Sequence, residues 1–369
     1  MSDRRGSGGQ PAPGNAEDRG REAAAPRIGA AAASSYRPLP FRPAPWLPGP
    51  HAQTLAGRLL RRPGATPYRR ERLQTPDGDF LDLDRLRDAP AAFDVLVLHG
   101  LEGSSASGYV REAVVRLRER GLHAAGLNFR SCSGEPNRAR RFYHAGETGD
   151  LSFVLERIVE RRRGRPVGLV GFSLGANVLL RYLEERGAAA RELVRAAVAI
   201  SVPFDLSGAA DRMERVPGRL YGATFLRSLR RSVEAKARRR DLELPLAAVR
   251  AARTLRQFDR ALTAPLHGFE SVEAYYARSS SGRALDRVRV PTLVIQALDD
   301  PFLPAGAVPA PALFDNPWIH PVLHERGGHV GFVEGRTPWS ARFWAELEAA
   351  RFLSCPPALS MSGCSGPDA

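Results

Sequence analysis

From Phe93 onward, short apolar runs alternate with amphipathic segments of helical length, and few folds accept that order. FDVLVLHG (93–100) is an almost unbroken apolar run ending in glycine, the pattern of a strand buried on both faces. Residues 108–121 carry Val110, Val114, Val115 and Leu117 at helical spacing and stop at Gly121. Strand-like 122–130 leads to a helix over 147–164, with Leu151, Val154, Leu155, Ile158 and Val159 on one stripe. Strand 166–172, helix 175–187 and strand 194–201 repeat the pattern. Two last strands, 290–298 and 318–325, precede a helix expected from Pro338 to about Leu353. Strands separated by helices imply an α/β architecture, a mostly parallel central sheet with helices on both faces. Segment 204–288 breaks the alternation and reads as a helical cap inserted over one end of the sheet.

The rest of the chain sets boundaries. Residues 1–34, rich in Gly, Pro, Ala and charge, read as a disordered tail, 35–354 as the folded domain and 355–369 as a second tail. No run approaches the roughly 18–20 apolar residues of a membrane span, and the N-terminal stretch has no hydrophobic signal core. Cys132, Cys355 and Cys364 suggest no disulfide framework, so a reducing, cytoplasmic setting is expected. The net charge of +14 is almost entirely arginine spread along the chain, with Lys236 the single lysine. No nucleic-acid-binding motif accompanies it, and no nucleic-acid partner is expected. Between Asp211 and Arg260 the cap has fourteen basic and six acidic residues. A solvated helix face explains that surplus, while peripheral contact with a phospholipid surface is its functional alternative.

Within this frame Gly171-Phe172-Ser173-Leu174-Gly175 falls between a buried strand and an amphipathic helix. That is the context of a nucleophile elbow, where a tight turn lifts a serine hydroxyl to the carboxyl edge of the sheet. A serine needs a base to take its proton and a carboxylate to hold the base. His329 follows the last strand in a Gly-Gly turn, and Asp299 and Asp300 directly follow strand 290–298, where an open α/β sheet gathers its functional groups. The chain order Ser, Asp, His is the one found on this architecture. Oxyanion donors are expected from the backbone N–H groups of Leu174, at the helix start, and Leu101, in HGLEGSS (99–105), with Glu102 as the alternative to Leu101. His99 reads as a shaper of that loop. No HExxH, cysteine cluster or Walker lysine is present, so neither metal nor cofactor is expected.

HAQT, LHGLEGS, NFRSCSGEPNR, GFSLGANVLLRYL, DRALTAPLHGF, ALDDPF and GGHVGF together resemble the YheT-like branch of the α/β-hydrolases, related to yeast medium-chain fatty acid ethyl ester synthases/esterases. The matching motifs run from about His51 to Gly335. The resemblance implies an α/β-hydrolase fold and a triad of Ser173, one of the two aspartates, and His329. Asp300 is favoured because DPFLP resembles the Asp-x-x-aliphatic-Pro segment of many such enzymes. The site reads as that of a serine esterase, a monomer is expected, and the resemblance implies short- to medium-chain acyl esters or acylglycerols as substrates. Two other readings stand beside it: an acyltransferase with an alcohol acceptor, and a non-catalytic basic protein that binds membranes. The family commonly has glycine where Ser131 and Ala176 stand.

Overall fold

The computed structural model describes residues 36–61, 67–90, 93–239 and 242–356. The tail expected over 1–34 lies outside them, as does the C-terminal one beyond its first two residues.

Eight strands form one sheet: β1 (Tyr68–Gln74), β2 (Phe80–Leu86), β3 (Val95–Leu98), β4 (Ala124–Asn128), β5 (Val167–Phe172), β6 (Val194–Ile200), β7 (Thr292–Ala297) and β8 (Ile319–His324), in the order β1-β2-β4-β3-β5-β6-β7-β8. From β4 to β8 all pairings are parallel, while β2 runs antiparallel to both β1 and β4. β3 to β7 are buried almost throughout, which is why they are nearly continuous Val, Leu, Ile and Ala in sequence. Helix α1 (Gly49–Leu60) precedes the sheet. Helix α2 (Gly108–Glu119) and residues Trp344–Ser354 cover one face, α3 (Gly149–Arg161) and α4 (Leu174–Arg186) the other. β3 pairs with β4 on one side and β5 on the other, so sheet growth reverses there. The crevice beyond the carboxyl ends of β3 and β5 is the place such a sheet offers to a ligand.

Between β6 and β7 the chain is helical, with α5 (Leu206–Arg212), α6 (Gly218–Arg239), shorter pieces up to Ser279 and one π-helical turn over Asp259–Thr263. Leu226, Val233 and Val249 of this cap pack with Phe142, from the loop after β4. Lys236 is fully buried there, its Nζ donating to the Arg141 carbonyl at 2.6 Å and lying 4.1 Å from the Phe142 ring centroid. Burial pulls its pKa down to about 8. Among the described residues, no helix is long and apolar enough to cross a membrane.

The C-terminal helix differs from expectation. Pro338 opens a 3₁₀ turn over Pro338–Ser340, boxed by Thr337 and Ser340, and Arg342–Phe343 then pairs with Val333–Glu334. The α-helix begins only at Trp344. A Thr-Pro start signal is satisfied equally well by one short turn, and the strand pairing holds the next residues extended.

The β1–β2 hairpin was not foreseen. Its outward positions are Arg70 and Arg72, each forked onto a buried carboxylate of β2, Asp84 and Asp82. Nearby, Arg130 is 2 % exposed and binds Asp79 at 3.0 Å and Asp150 through two nitrogens at 2.7 and 2.8 Å. Removing one partner of a buried ionic cluster leaves the others unpaired, so Arg130→Ala is expected to cost roughly 3–5 kcal/mol of stability, read as a lowered urea midpoint.

Candidate active site

Ser173 joins β5 to α4 with φ 52° and ψ −118°, a conformation that side chains other than glycine's rarely adopt. Its glycine neighbours make the turn possible. A Cβ at Gly171 would stand 2.6 Å from the Gly175 carbonyl oxygen, and one at Gly175 would stand 2.5 Å from that of His99. The second contact shows how closely the end of β3 presses on the elbow. Ser173 occupies the N-cap position of α4 but makes no side-chain cap bond. Its Oγ instead lies 2.9 Å from His329 Nε2.

His329 is held from several sides. Its amide donates to Thr54 Oγ1 of α1 at 2.9 Å, the next amide, of Val330, donates to Ser201 Oγ, and its ring stacks on Phe302 with centroids 4.0 Å apart. Nδ1 donates to Asp300 Oδ2 at 2.7 Å. A carboxylate only accepts, so this bond places the imidazole proton on Nδ1 and leaves the Nε2 lone pair facing Ser173. The buried Asp300 is fixed in turn by the Phe302 amide at 2.9 Å on Oδ1. Asp299 points elsewhere: its Oδ1 accepts from the Gly328 amide at 2.9 Å, bracing the turn before His329, and burial raises its pKa. The geometry thus joins Ser173, His329 and Asp300 and leaves Asp299 beside them.

The loop after β3 faces the elbow. His99 is fully buried; its Nε2 accepts from the Phe129 amide, so Nδ1 carries the proton and donates to the Gly100 carbonyl at 2.7 Å. The Gly100 amide donates to Tyr109 Oη, and the Glu102 amide to Tyr143 Oη at 2.8 Å, so Glu102 is engaged where it was the alternative donor. Among the described residues no hydrogen bond reaches the amide of Leu101 or Leu174. The Glu102 carboxylate accepts from Tyr143 on one oxygen and from Ser228 and Ser232 of α6 on the other, at 2.8 and 2.9 Å. It ties this loop to the cap.

Two spaces meet at Ser173. One, about 140 Å³, is mostly apolar and runs under the cap, with Leu174, Phe225, Leu229, Phe258 and Leu262 in its wall. The other, about 560 Å³, is a wider groove between α1 and α6 that includes Leu55, Arg58, Leu59, Tyr221 and Phe302. His144 and His267 line the first, and together with Glu147 they place ligand atoms within 4.8 Å of one another. One Glu147 oxygen already accepts the Gly149 and Asp150 amides, capping α3, and the other is paired with Arg141. That donor set is committed to structure.

Burial pulls the pKa of His99 and His144 down to about 4 and that of His267 to about 3. Each binds its proton more weakly folded than unfolded, so the unfolded state takes up more protons between about pH 6.5 and 4. Their share of the stability is then complete above the ordinary histidine pKa and is lost as pH falls toward 4. Each tenfold weakening of a histidine's proton affinity on folding corresponds to about 1.4 kcal/mol. Burial raises the carboxyls of Glu184, Glu346 and Asp259 to about 8, 7 and 6, which acts in the opposite sense over the same range. The histidine share is therefore read by difference: the urea midpoint of His267→Gln should fall less than that of wild type between pH 7.5 and 4.5.

Several contributors escaped the sequence reading. Gln53 clamps the Val333 backbone in both directions, at 3.1 and 2.8 Å, while Thr54 carries the His329 amide, so the HAQT segment holds the histidine loop. Its Gln-Thr pair within a short helix bounded by prolines was the available signal. Ser131 holds φ 65°, a backbone conformation that glycine would adopt freely.

Residues 95–335 match the family described as alpha/beta hydrolase fold. YheT of Escherichia coli (strain K12) is 39 % identical over 312 residues, covering 82 % of this chain and 90 % of YheT. A monoacylglycerol lipase of Saccharomyces cerevisiae is 30 % identical over 293 residues, 77 % of this chain and 63 % of the lipase. Phospholipase ABHD3 of Mus musculus is 29 % identical, with 81 % and 74 % covered. Among solved structures, an esterase of Pyrobaculum calidifontis shares the fold at 17 % identity and a TM-score of 0.51, covering 82 % of this chain and 90 % of the esterase. The chain belongs to the alpha/beta hydrolase fold family and, within it, to the branch of carboxylic ester hydrolases around YheT.

Proposed function

We propose that Ser173, His329 and Asp300 form a charge-relay triad that hydrolyses esters of short- to medium-chain acids, acylglycerols among them, through an acyl-enzyme on Ser173. The observation that carries this reading is the unbroken chain of hydrogen bonds Asp300–His329–Ser173 at the mouth of an apolar space. Ser173 Oγ attacks the ester carbonyl as His329 Nε2 takes its proton, and Asp300 steadies the imidazolium. The free amides of Leu101 and Leu174 donate to the tetrahedral oxyanion. Collapse releases the alcohol, protonated by His329, and water activated by the same nitrogen then frees the acid. Segment 204–288 acts as the cap that shields the acyl chain, and the wider groove takes the alcohol portion. The lipase and phospholipase among the relatives point to similar substrates.

The test is a p-nitrophenyl ester series from acetate to palmitate, paired with a fluorophosphonate probe mapped by mass spectrometry. A chain-length optimum with the probe on Ser173 is expected. Stoichiometric labelling of another residue would sink the assignment. Added ethanol that diverts product from acid to ethyl ester would instead reveal acyl transfer from the same intermediate.

A further inference from the structure

The wider groove opens between two helices whose outer residues have an unusual composition. Seven large apolar side chains are exposed among the described residues, and four stand here: Leu55 at 47 % and Leu59 at 65 % on α1, Val216 at 80 % and Leu220 at 75 % at the start of α6. The two helices are held together at this end by His51 and Tyr221, whose rings stack and whose Nδ1 and Oη lie 3.2 Å apart. His51, Leu55 and Leu59 are four residues apart, so they share one face of α1, and Leu55 and Leu59 line the groove that reaches Ser173. The same rim carries Arg58, Arg215 and Arg219, all exposed, none of them paired with a carboxylate among the described residues. Of the other arginines in this segment, Arg230 binds backbone carbonyls, Arg250 binds Glu234 and Arg256 binds Asp211. Arg227, Arg231 and Arg253 are exposed and, among the described residues, likewise without a carboxylate, so the exposed apolar side chains are what set this rim apart.

Exposed leucines interleaved with unpaired arginines fit an interface that is apolar just below an anionic layer. A phosphate backbone would match the arginines and leave the leucines wet, and an acidic protein surface would do the same. We propose that this rim, Leu55, Arg58 and Leu59 with Arg215, Val216, Arg219 and Leu220, docks on an anionic phospholipid surface and lets a lipid ester pass from the bilayer into the groove. The proposal deepens the reading of Ser173 as an ester-cleaving serine and assigns the source of its substrate. The leucines enter the boundary between headgroups and acyl chains, while the arginines meet lipid phosphates, so attachment weakens with salt.

The experiment measures co-sedimentation of the full chain with vesicles of phosphatidylcholine alone or with 30 mol% phosphatidylglycerol, in wild type, Ser173→Ala and the triple variant Arg215→Gln/Arg219→Gln/Leu220→Ser. None of the three altered rim residues lines the groove. Wild type and Ser173→Ala should bind the anionic vesicles alike and release them with added salt. The triple variant should bind at least tenfold more weakly, yet hydrolyse soluble p-nitrophenyl butyrate within twofold of wild type. Equal partition onto neutral vesicles, unchanged binding by the triple variant, or retention on duplex DNA but not on vesicles would overturn the proposal. So would association of two copies of the chain through these residues. Because Ser173→Ala reports docking without chemistry, loss of vesicle binding rejects the docking surface alone. Full ester activity in that variant rejects the triad alone.

Discussion

Ser173→Ala is expected to lower kcat on p-nitrophenyl esters by roughly a million-fold, the scale at which a triad working as one unit fails when its nucleophile is removed. The fold should be untouched, because the hydroxyl makes no capping bond to α4 and serves no neighbour but His329. Thermal unfolding within about a degree of wild type would separate the chemical loss from a structural one. A residue of catalysis over water, roughly three to four powers of ten, should survive in the amides of Leu101 and Leu174. A variant that keeps more than a few per cent of activity would place the nucleophile elsewhere.

The second large effect is a contrast between neighbours. Asp300→Asn should reduce kcat by roughly ten thousand-fold, since an amide nitrogen facing Nδ1 turns the imidazole to the wrong tautomer while leaving the shape intact. Asp299→Asn keeps an oxygen for the Gly328 amide, the bond that Asp299 makes at 2.9 Å, and should stay within about tenfold of wild type. Stopped-flow acylation rates for the two variants at neutral pH give the comparison directly. The opposite ranking would transfer the acid role to Asp299.

The core strands were legible in sequence because burial on both faces leaves little choice but Val, Leu, Ile and Ala, as in Val167–Phe172 and Val194–Ile200. The hairpin over Tyr68–Leu86 was not, because its pairing is supported by Arg–Asp forks that look like surface charge in a linear reading. Its cue was the alternation of Leu81 and Leu83 with Asp82 and Asp84 after an Asp-Gly turn. Pro338 misled for the opposite reason, a strong local signal spent on a single turn. At the site, Ser173 and His329 announced themselves through strand-end glycine turns. Asp299 and Asp300 share the same strand end, and only the path of the loop distinguishes which carboxylate meets His329. The bonds from Glu102 to Ser228 and Ser232 span about 130 positions of chain, a relation no local pattern encodes.

The burial of Lys236 gives the protein a built-in reporter. In a chain of 369 residues with one lysine, an endoproteinase specific for lysyl bonds has a single target, and that target is sealed between α6 and Phe142. Cutting there requires α6 to unfold locally around Lys236 and leave Phe142, so the digestion rate under native conditions tracks that local opening equilibrium. An acyl-chain analogue lodged beneath the cap should slow that cut in proportion to its occupancy, with no engineered label. Trypsin, with arginines exposed across the whole surface, could never make so selective a reading.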